Sequence, residues 1–262
     1  MLKYDRPFLQ ATREVVLPEP VILFDIAITP ITLDGLLSYV RQAVEHVSSV
    51  TISYVNDHAL NQAFRNRELK QALTRTDMVY CDGAGVRWGA RLLGKSLPER
   101  LTGADWIYDL TRMCQDGGFG LYLLGSAPGV ADAAAARLRQ LYPRLRVVGT
   151  HHGFFAKNGH ESDEVIGTIN RHSPDILLVG FGTPTQEEWI SRNRPGLNVP
   201  VVWAMGATMD FVSGGVRRAP KWMCNHALEW LFRLLCEPRR MWKRYLVGNV
   251  LFFWRVLKEG SR

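Results

Sequence analysis

The stretch Tyr80-Cys81-Asp82-Gly83-Ala84-Gly85-Val86 puts an acidic side chain at the end of an apolar, strand-like run and follows it with Gly-Ala-Gly. Three roles fit Asp82: a turn carboxylate capping a helix that starts near Ala84, an anchor for a polar ligand, or a general base that removes a proton. Four more loops leave apolar runs with small or polar residues: Asn56-Asp57, Gly125-Ser126, Gly180-Phe181-Gly182-Thr183 and Met205-Gly206-Ala207. Gly permits positive φ and close backbone approach to a ligand, and amides at a helix N-terminus favour anions. Any one such loop is also ordinary strand-ending and helix-capping chemistry. Five at one sheet edge point to a ligand site.

The elements that must position these loops are legible as alternating patterns. Apolar runs occur at residues 50–55, 78–81, 120–124, 146–148, 175–179 and 199–204, bounded by turn residues. Between them, residues 36–47, 58–73, 131–141 and 162–170 have apolar positions at helical spacing. This alternation predicts an α/β fold, a Rossmann-like, largely parallel sheet flanked by helices, with ligands beyond the carboxyl ends of the strands.

With 262 residues, 47% of them hydrophobic, the chain has enough apolar material for a substantial core. The cysteines Cys81, Cys114, Cys224 and Cys236 form no C-x-x-C pair, and the start MLKYDRPF lacks the apolar region of a secretion signal. Reduced thiols in a cytoplasmic protein are expected. The net charge of +7 is unevenly spread: residues 217–262 hold eleven Lys and Arg against three Glu, while residues 1–216 are nearly neutral. The same tail interleaves Trp222, Trp230, Phe232, Trp242, Tyr245, Phe252, Phe253 and Trp254 with its basic residues. A basic helix with an aromatic face reads as an interfacial membrane helix, although the same aromatics would also suit packing on a core. No recognised nucleic-acid motif accompanies the charge, so nucleic acid is not expected as a partner. The chain is therefore divided into an α/β catalytic core, 1–212, and a helical appendage, 213–262.

In order along the chain, the Asn56 loop, the Tyr80–Val86 stretch, Arg100-Leu101-Thr102-Gly103-Ala104-Asp105, Gly180-Phe181-Gly182-Thr183-Pro184-Thr185-Gln186-Glu187 and Met209-Asp210-Phe211 lead to Arg218-Ala219-Pro220-Lys221-Trp222. After them come Leu228-Glu229-Trp230-Leu231-Phe232-Arg233-Leu234 and Glu237-Pro238-Arg239-Arg240. This series resembles the WecG/TagA/CpsF family of bacterial glycosyltransferases, family 26 in the usual sugar-transferase numbering. The resemblance implies that Asp82 is the general base, that Asn56 and Gln186 line the sugar pocket, and that Arg100 lies near the diphosphate. It further implies Asp210 at the nucleoside, and Arg233 and Arg240 in a clamp brought by a membrane-docking tail. Tyr54 stands where the family pattern commonly has Thr, a difference compatible with a sugar lacking the acetamido group.

Glycosyl transfer with inversion needs a carboxylate to take the proton of the attacking hydroxyl and cations to stabilise the departing diphosphate. The chain has no Asp-x-Asp, so arginines are expected to carry that charge without a metal or other cofactor. The expected activity is transfer from a UDP-sugar to a polyprenyl-diphosphate-linked sugar, at the cytoplasmic face of an anionic plasma membrane. Length and overall likeness resemble the family member that adds the second glucose, β-1,4-linked, in xanthan-type exopolysaccharide assembly. The alternative is transfer of N-acetylmannosamine or its uronic acid in teichoic-acid or enterobacterial-type glycan synthesis. Outside the enzymes, a nucleotide- or nucleic-acid-binding module with a basic tail is the competing expectation.

Overall fold

The computed structural model describes residues 16–226 and 228–260, apart from the side chains of Lys221, Asn225 and Arg240. The MLKYDRPF segment therefore lies outside the described residues, as does the Arg240 side chain. Two short strands, β1 (Val21–Leu23) and β2 (Ile26–Ile28), form an antiparallel hairpin. The remaining six are β3 (Val50–Val55), β4 (Met78–Cys81), β5 (Gly120–Gly125), β6 (Arg146–His151), β7 (Ile176–Gly180) and β8 (Val201–Ala204). They form one parallel sheet in the order β4-β3-β8-β7-β5-β6. Every residue of β4, β5, β7 and β8 is buried. A parallel strand covered on both faces needs an unbroken apolar run rather than alternation, which is why these strands are readable from sequence.

Helices cover both faces. On one side lie α1 (Leu33–Glu45), α5 (Gly103–Gly117), α6 (Val130–Leu141) and α9 (Thr208–Val212), sharing a core that includes Leu36, Leu110, Leu138 and Met209. The other side carries α2 (Asp57–Ala63), α3 (Arg67–Arg75), α4 (Ala84–Leu92), α7 (His160–His172) and α8 (Thr185–Asn193). The helical run expected over 58–73 is two helices. Asn66 interrupts it: its side chain accepts from the Leu69 N–H at 3.1 Å and caps α3, satisfying a donor that a helix start leaves open.

The tail is helical: α10 (Lys221–Asn225), α11 (Glu229–Cys236), α12 (Pro238–Trp242), a π-helical turn over Lys243–Val247, and α13 (Gly248–Glu259). α13 packs on α2 and α4, where Phe252 and Val256 are fully buried among Val55, Leu60, Val79 and Val86. Gly89 on α4 leaves the room for this. A Cβ there would meet the Phe252 ring at 2.9 Å. The opposite side of α13 exposes Val250, Trp254 and Leu257. Residues on both sides of the 212/213 division thus share one core. Among the described residues, no helix is long and apolar enough to cross a membrane.

Candidate active site

The register of β3 against β4 pairs Val55 with Cys81, so Asn56 and Asp82 emerge side by side at the carboxyl edge of the sheet. The Asp82 N–H donates to the Val55 carbonyl at 2.9 Å, which holds the pair in that register one residue beyond the strands. Below them the buried Tyr80 hydroxyl accepts from the indoles of Trp106, at 3.0 Å, and Trp203, at 3.2 Å. These two rings stack with centroids 4.1 Å apart, giving Asp82 a rigid floor.

Above that floor opens a cleft of about 610 Å³, walled by the loops after β3, β4, β7 and β8 and closed over by α11, the π-helical turn and α13. Gly206 has φ +61°, and a Cβ there would collide with the Tyr54 hydroxyl. A bare backbone is therefore needed where the β8 loop crosses β3.

Charge in the cleft is arranged around Asp82. Burial, and next the charge of Glu229 on α11, push its carboxyl up to about 7, against the pull of Arg100, Arg244 and a hydrogen bond with Asn56. Glu229 pairs with Arg100 at 3.1 Å, and both side chains are largely buried. Burial, then the Arg244 charge, push His58 down to about 4, so its imidazole is neutral at pH 7. The Asp57 carboxyl is raised by burial. Among the described residues, no three His, Cys, Asp or Glu side chains are grouped so as to hold a metal. The arrangement offers a carboxylate poised to take a proton near neutrality, with arginines alongside to receive an anion.

Of the residues expected at the site, Asp82, Asn56, Tyr54, Arg100 and Arg233 meet in this cleft. Asn56 also caps α2, its Oδ1 accepting from the Ala59 N–H at 3.0 Å. The Arg233 guanidinium lies 5.5 Å from the Phe211 ring centre. Gln186 does not line the cleft. It is fully buried, accepting from the N–H groups of Gly182, at 3.3 Å, and Gly206, at 3.1 Å, and donating to Glu187 at 2.8 Å and the Tyr54 hydroxyl at 3.4 Å. Its polar atoms tie the β7 and β8 loops together beneath the site. Asp210 also stands apart, accepting from the Ser126 hydroxyl at 3.0 Å beyond the end of β5.

The structure adds Asp57, His58, Trp88, Glu229, Arg244 and Asn249 to the cleft. Asp57 and Glu229 lie inside motifs already noted in the sequence, next to Asn56 and Trp230. Arg244 and Asn249 carry no local signal, and reach the cleft only because α13 folds back on α2.

The family model described as "Glycosyl transferase WecG/TagA/CpsF family" matches residues 21–262. Three relatives share one name, N-acetylglucosaminyldiphosphoundecaprenol N-acetyl-beta-D-mannosaminyltransferase. That of Bacillus subtilis (strain 168) is 28% identical over 228 residues, 87% of each chain. That of Bacillus spizizenii is 30% identical over 185 residues, 71% of this chain and 70% of the relative. The Staphylococcus aureus (strain NCTC 8325) protein is 26% identical over 220 residues, 84% of each.

Proposed function

The chain belongs to the WecG/TagA/CpsF glycosyltransferase family, and from that premise we propose that it transfers N-acetylmannosamine from a UDP-sugar to the N-acetylglucosamine of a polyprenyl-diphosphate-linked acceptor, with inversion. Membership makes it a transferase and sets aside the non-catalytic binding module. Glucose, expected from length and overall likeness, and the xanthan-type pathway with it, give way because the three relatives described above are named for N-acetylmannosaminyl transfer. Tyr54 in place of Thr is then a difference within acetamido-sugar transfer.

The observation that supports the reading most is Asp82 in the cleft with its carboxyl near 7, Arg100 acting on it, and Arg233 lining the same cleft. In this reading Asp82 takes the proton of the acceptor hydroxyl as that oxygen attacks the anomeric carbon. The departing UDP carries the bonding pair away on its β-phosphate, and arginines hold the charge. Arg100 must leave Glu229 to do so, exchanging a carboxylate for a diphosphate. Exposed Trp242, Leu246, Val250 and Trp254, set among Lys243 and Lys258, would dock this rim on an anionic bilayer holding the acceptor.

The test is transfer from radiolabelled UDP-N-acetylmannosamine and UDP-glucose to a synthetic N-acetylglucosaminyl diphosphate lipid, with and without EDTA. The first donor should be consumed in both conditions. Preference for UDP-glucose would reverse the sugar assignment, and loss of activity in EDTA restored by magnesium would end the arginine-only account of the leaving group.

A further inference from the structure

Four buried polar atoms without a hydrogen-bond partner line the cleft, Asp57 Oδ2, Arg233 Nε, Arg244 Nε and Asn249 Oδ1, and the Arg244 charge acts on Asp57. Buried polar groups are overwhelmingly partnered, and leaving one unpaired costs about 1–3 kcal/mol. Arg233 belongs to α11, whereas the other three come from α2 and from the π-helical turn and the start of α13, and those three mark a place where a ligand completes the bonding.

Their positions are held by contacts that are themselves satisfied. One turn beyond Asp57 on α2, the Asn61 side chain donates to the Gly248 carbonyl at 2.7 Å and accepts from Arg255 at 2.7 Å. Gly248 lies between Arg244 and Asn249 in the chain, so this bond, made across 187 residues of sequence, holds their segment on α2, and the Arg244 charge acts on Asp57. On its other side Asp57 packs on Gly85, where an added Cβ would lie 3.4 Å from the Asp57 Cβ. Arg244 belongs to the π-helical turn. Such turns widen a helix locally and are frequent at functional sites.

We propose that Asp57, Arg244 and Asn249 form the subsite for the acceptor's sugar, Asp57 and Asn249 accepting from ring hydroxyls and Arg244 donating to a ring or glycosidic oxygen. This rests on the reading of the chain as a transferase to a lipid-linked sugar, and says where that sugar sits.

The chemistry selects a hydroxylated ring over a bare phosphate. Two acceptors beside one cation repel an anion's oxygens, whereas hydroxyls supply the donors that Asp57 and Asn249 lack. Exposed Trp88, with Phe253 and Tyr245 lining the same cleft, offers apolar faces for the C–H side of a pyranose. Location selects acceptor over donor. The subsite adjoins the rim where Leu246, Val247, Val250 and Trp254 are exposed, the direction in which a lipid chain would leave. Arg100, Thr183 and Gly206, from other loops, also line the cleft and are left for the nucleotide sugar. Asp82 feels both Arg100 and Arg244, so a hydroxyl of an acceptor bound beside Arg244 would meet it.

The experiment measures equilibrium binding of two probes to the full chain, by calorimetry: N-acetylglucosaminyl diphosphate bearing a short alkyl chain, and UDP. Asp57→Asn and Asn249→Ala should each weaken the acceptor probe about tenfold or more while leaving UDP within about twofold, and should raise the acceptor KM more than they lower kcat. Arg244→Lys, which keeps the charge but loses Nε, supplies a third variant should either of the others melt early. Acceptor binding unchanged in the folded variants, or an equal loss of UDP binding, overturns the subsite. The two readings fail separately. A wild-type chain that binds the acceptor probe through these residues yet transfers no sugar refutes the proposed function alone, whereas normal transfer with insensitive acceptor binding refutes the subsite alone.

Discussion

If Asp82 is the base, activity must follow its ionisation. The free enzyme's kcat/KM reports the titration of its essential groups, and this carboxyl stands at about 7, not at the ordinary 3.8. Its ionised fraction is then roughly nine-tenths at pH 8 and one-tenth at pH 6, so kcat/KM should fall about tenfold between them. An unperturbed aspartate would stay ionised throughout and give a flat profile. Glu229→Gln provides the sharper perturbation. It removes the neighbouring negative charge that raises Asp82 and leaves the Arg100 and Arg244 charges that lower it. The midpoint should move to lower pH, and activity at pH 6 should rise relative to pH 8. Asp82→Asn should cost about 10²-fold or more in turnover and abolish the limb while UDP still binds. Glu187, whose carboxyl also stands at about 7, is the control, because it lies outside the cleft wall: Glu187→Gln should leave the midpoint in place. The assay is initial-rate transfer at subsaturating donor from about pH 5.5 to 8.5 in buffers of constant ionic strength. A flat profile, near-normal turnover in Asp82→Asn, or an upward midpoint shift in Glu229→Gln would remove Asp82 as the base.

Glu187 has its own consequence for stability, because burial raises its carboxyl and its Oε2 has no hydrogen-bond partner. A carboxyl raised in the folded state favours folding fully only below its unfolded pKa, so its contribution falls as pH rises from about 4.5 to 7. Glu187→Gln should flatten that fall, gaining thermal stability at pH 8 relative to pH 5; an equal Tm difference at both would count against it. Phe252→Ala should lose about 3–5 kcal/mol in urea unfolding, because the ring is fully buried and meets Phe24 edge-on at 5.9 Å; a loss under about 1 kcal/mol would mean that α13 is dispensable to the core. Co-sedimentation with anionic vesicles should exceed that with neutral ones, weaken with salt, and fall in a Trp242→Ser, Leu246→Ser double variant. Equal binding to both vesicle types would remove the electrostatic half of the docking proposal.

The strands of the sheet and the position of Asp82 at its edge are legible in local residue patterns. Runs such as Ile176–Gly180 are apolar throughout because a strand covered on both faces has no solvent side, and that demand is local enough to read without coordinates. A carboxylate one residue past such a run must then stand at the sheet's carboxyl edge. The β1–β2 hairpin escaped because three-residue strands are too short to establish a period. Tertiary structure alone decided that the polar atoms of Gln186 are spent under the site, that Glu229 reaches across 129 residues to pair with Arg100, and that α13 completes a core begun near residue 23. It also supplied the burial and the Glu229 charge that raise the Asp82 carboxyl. Side-chain periodicity records how much of a residue is covered, but not by what; partners and electrostatic fields belong to groups that become neighbours only when the chain closes on itself.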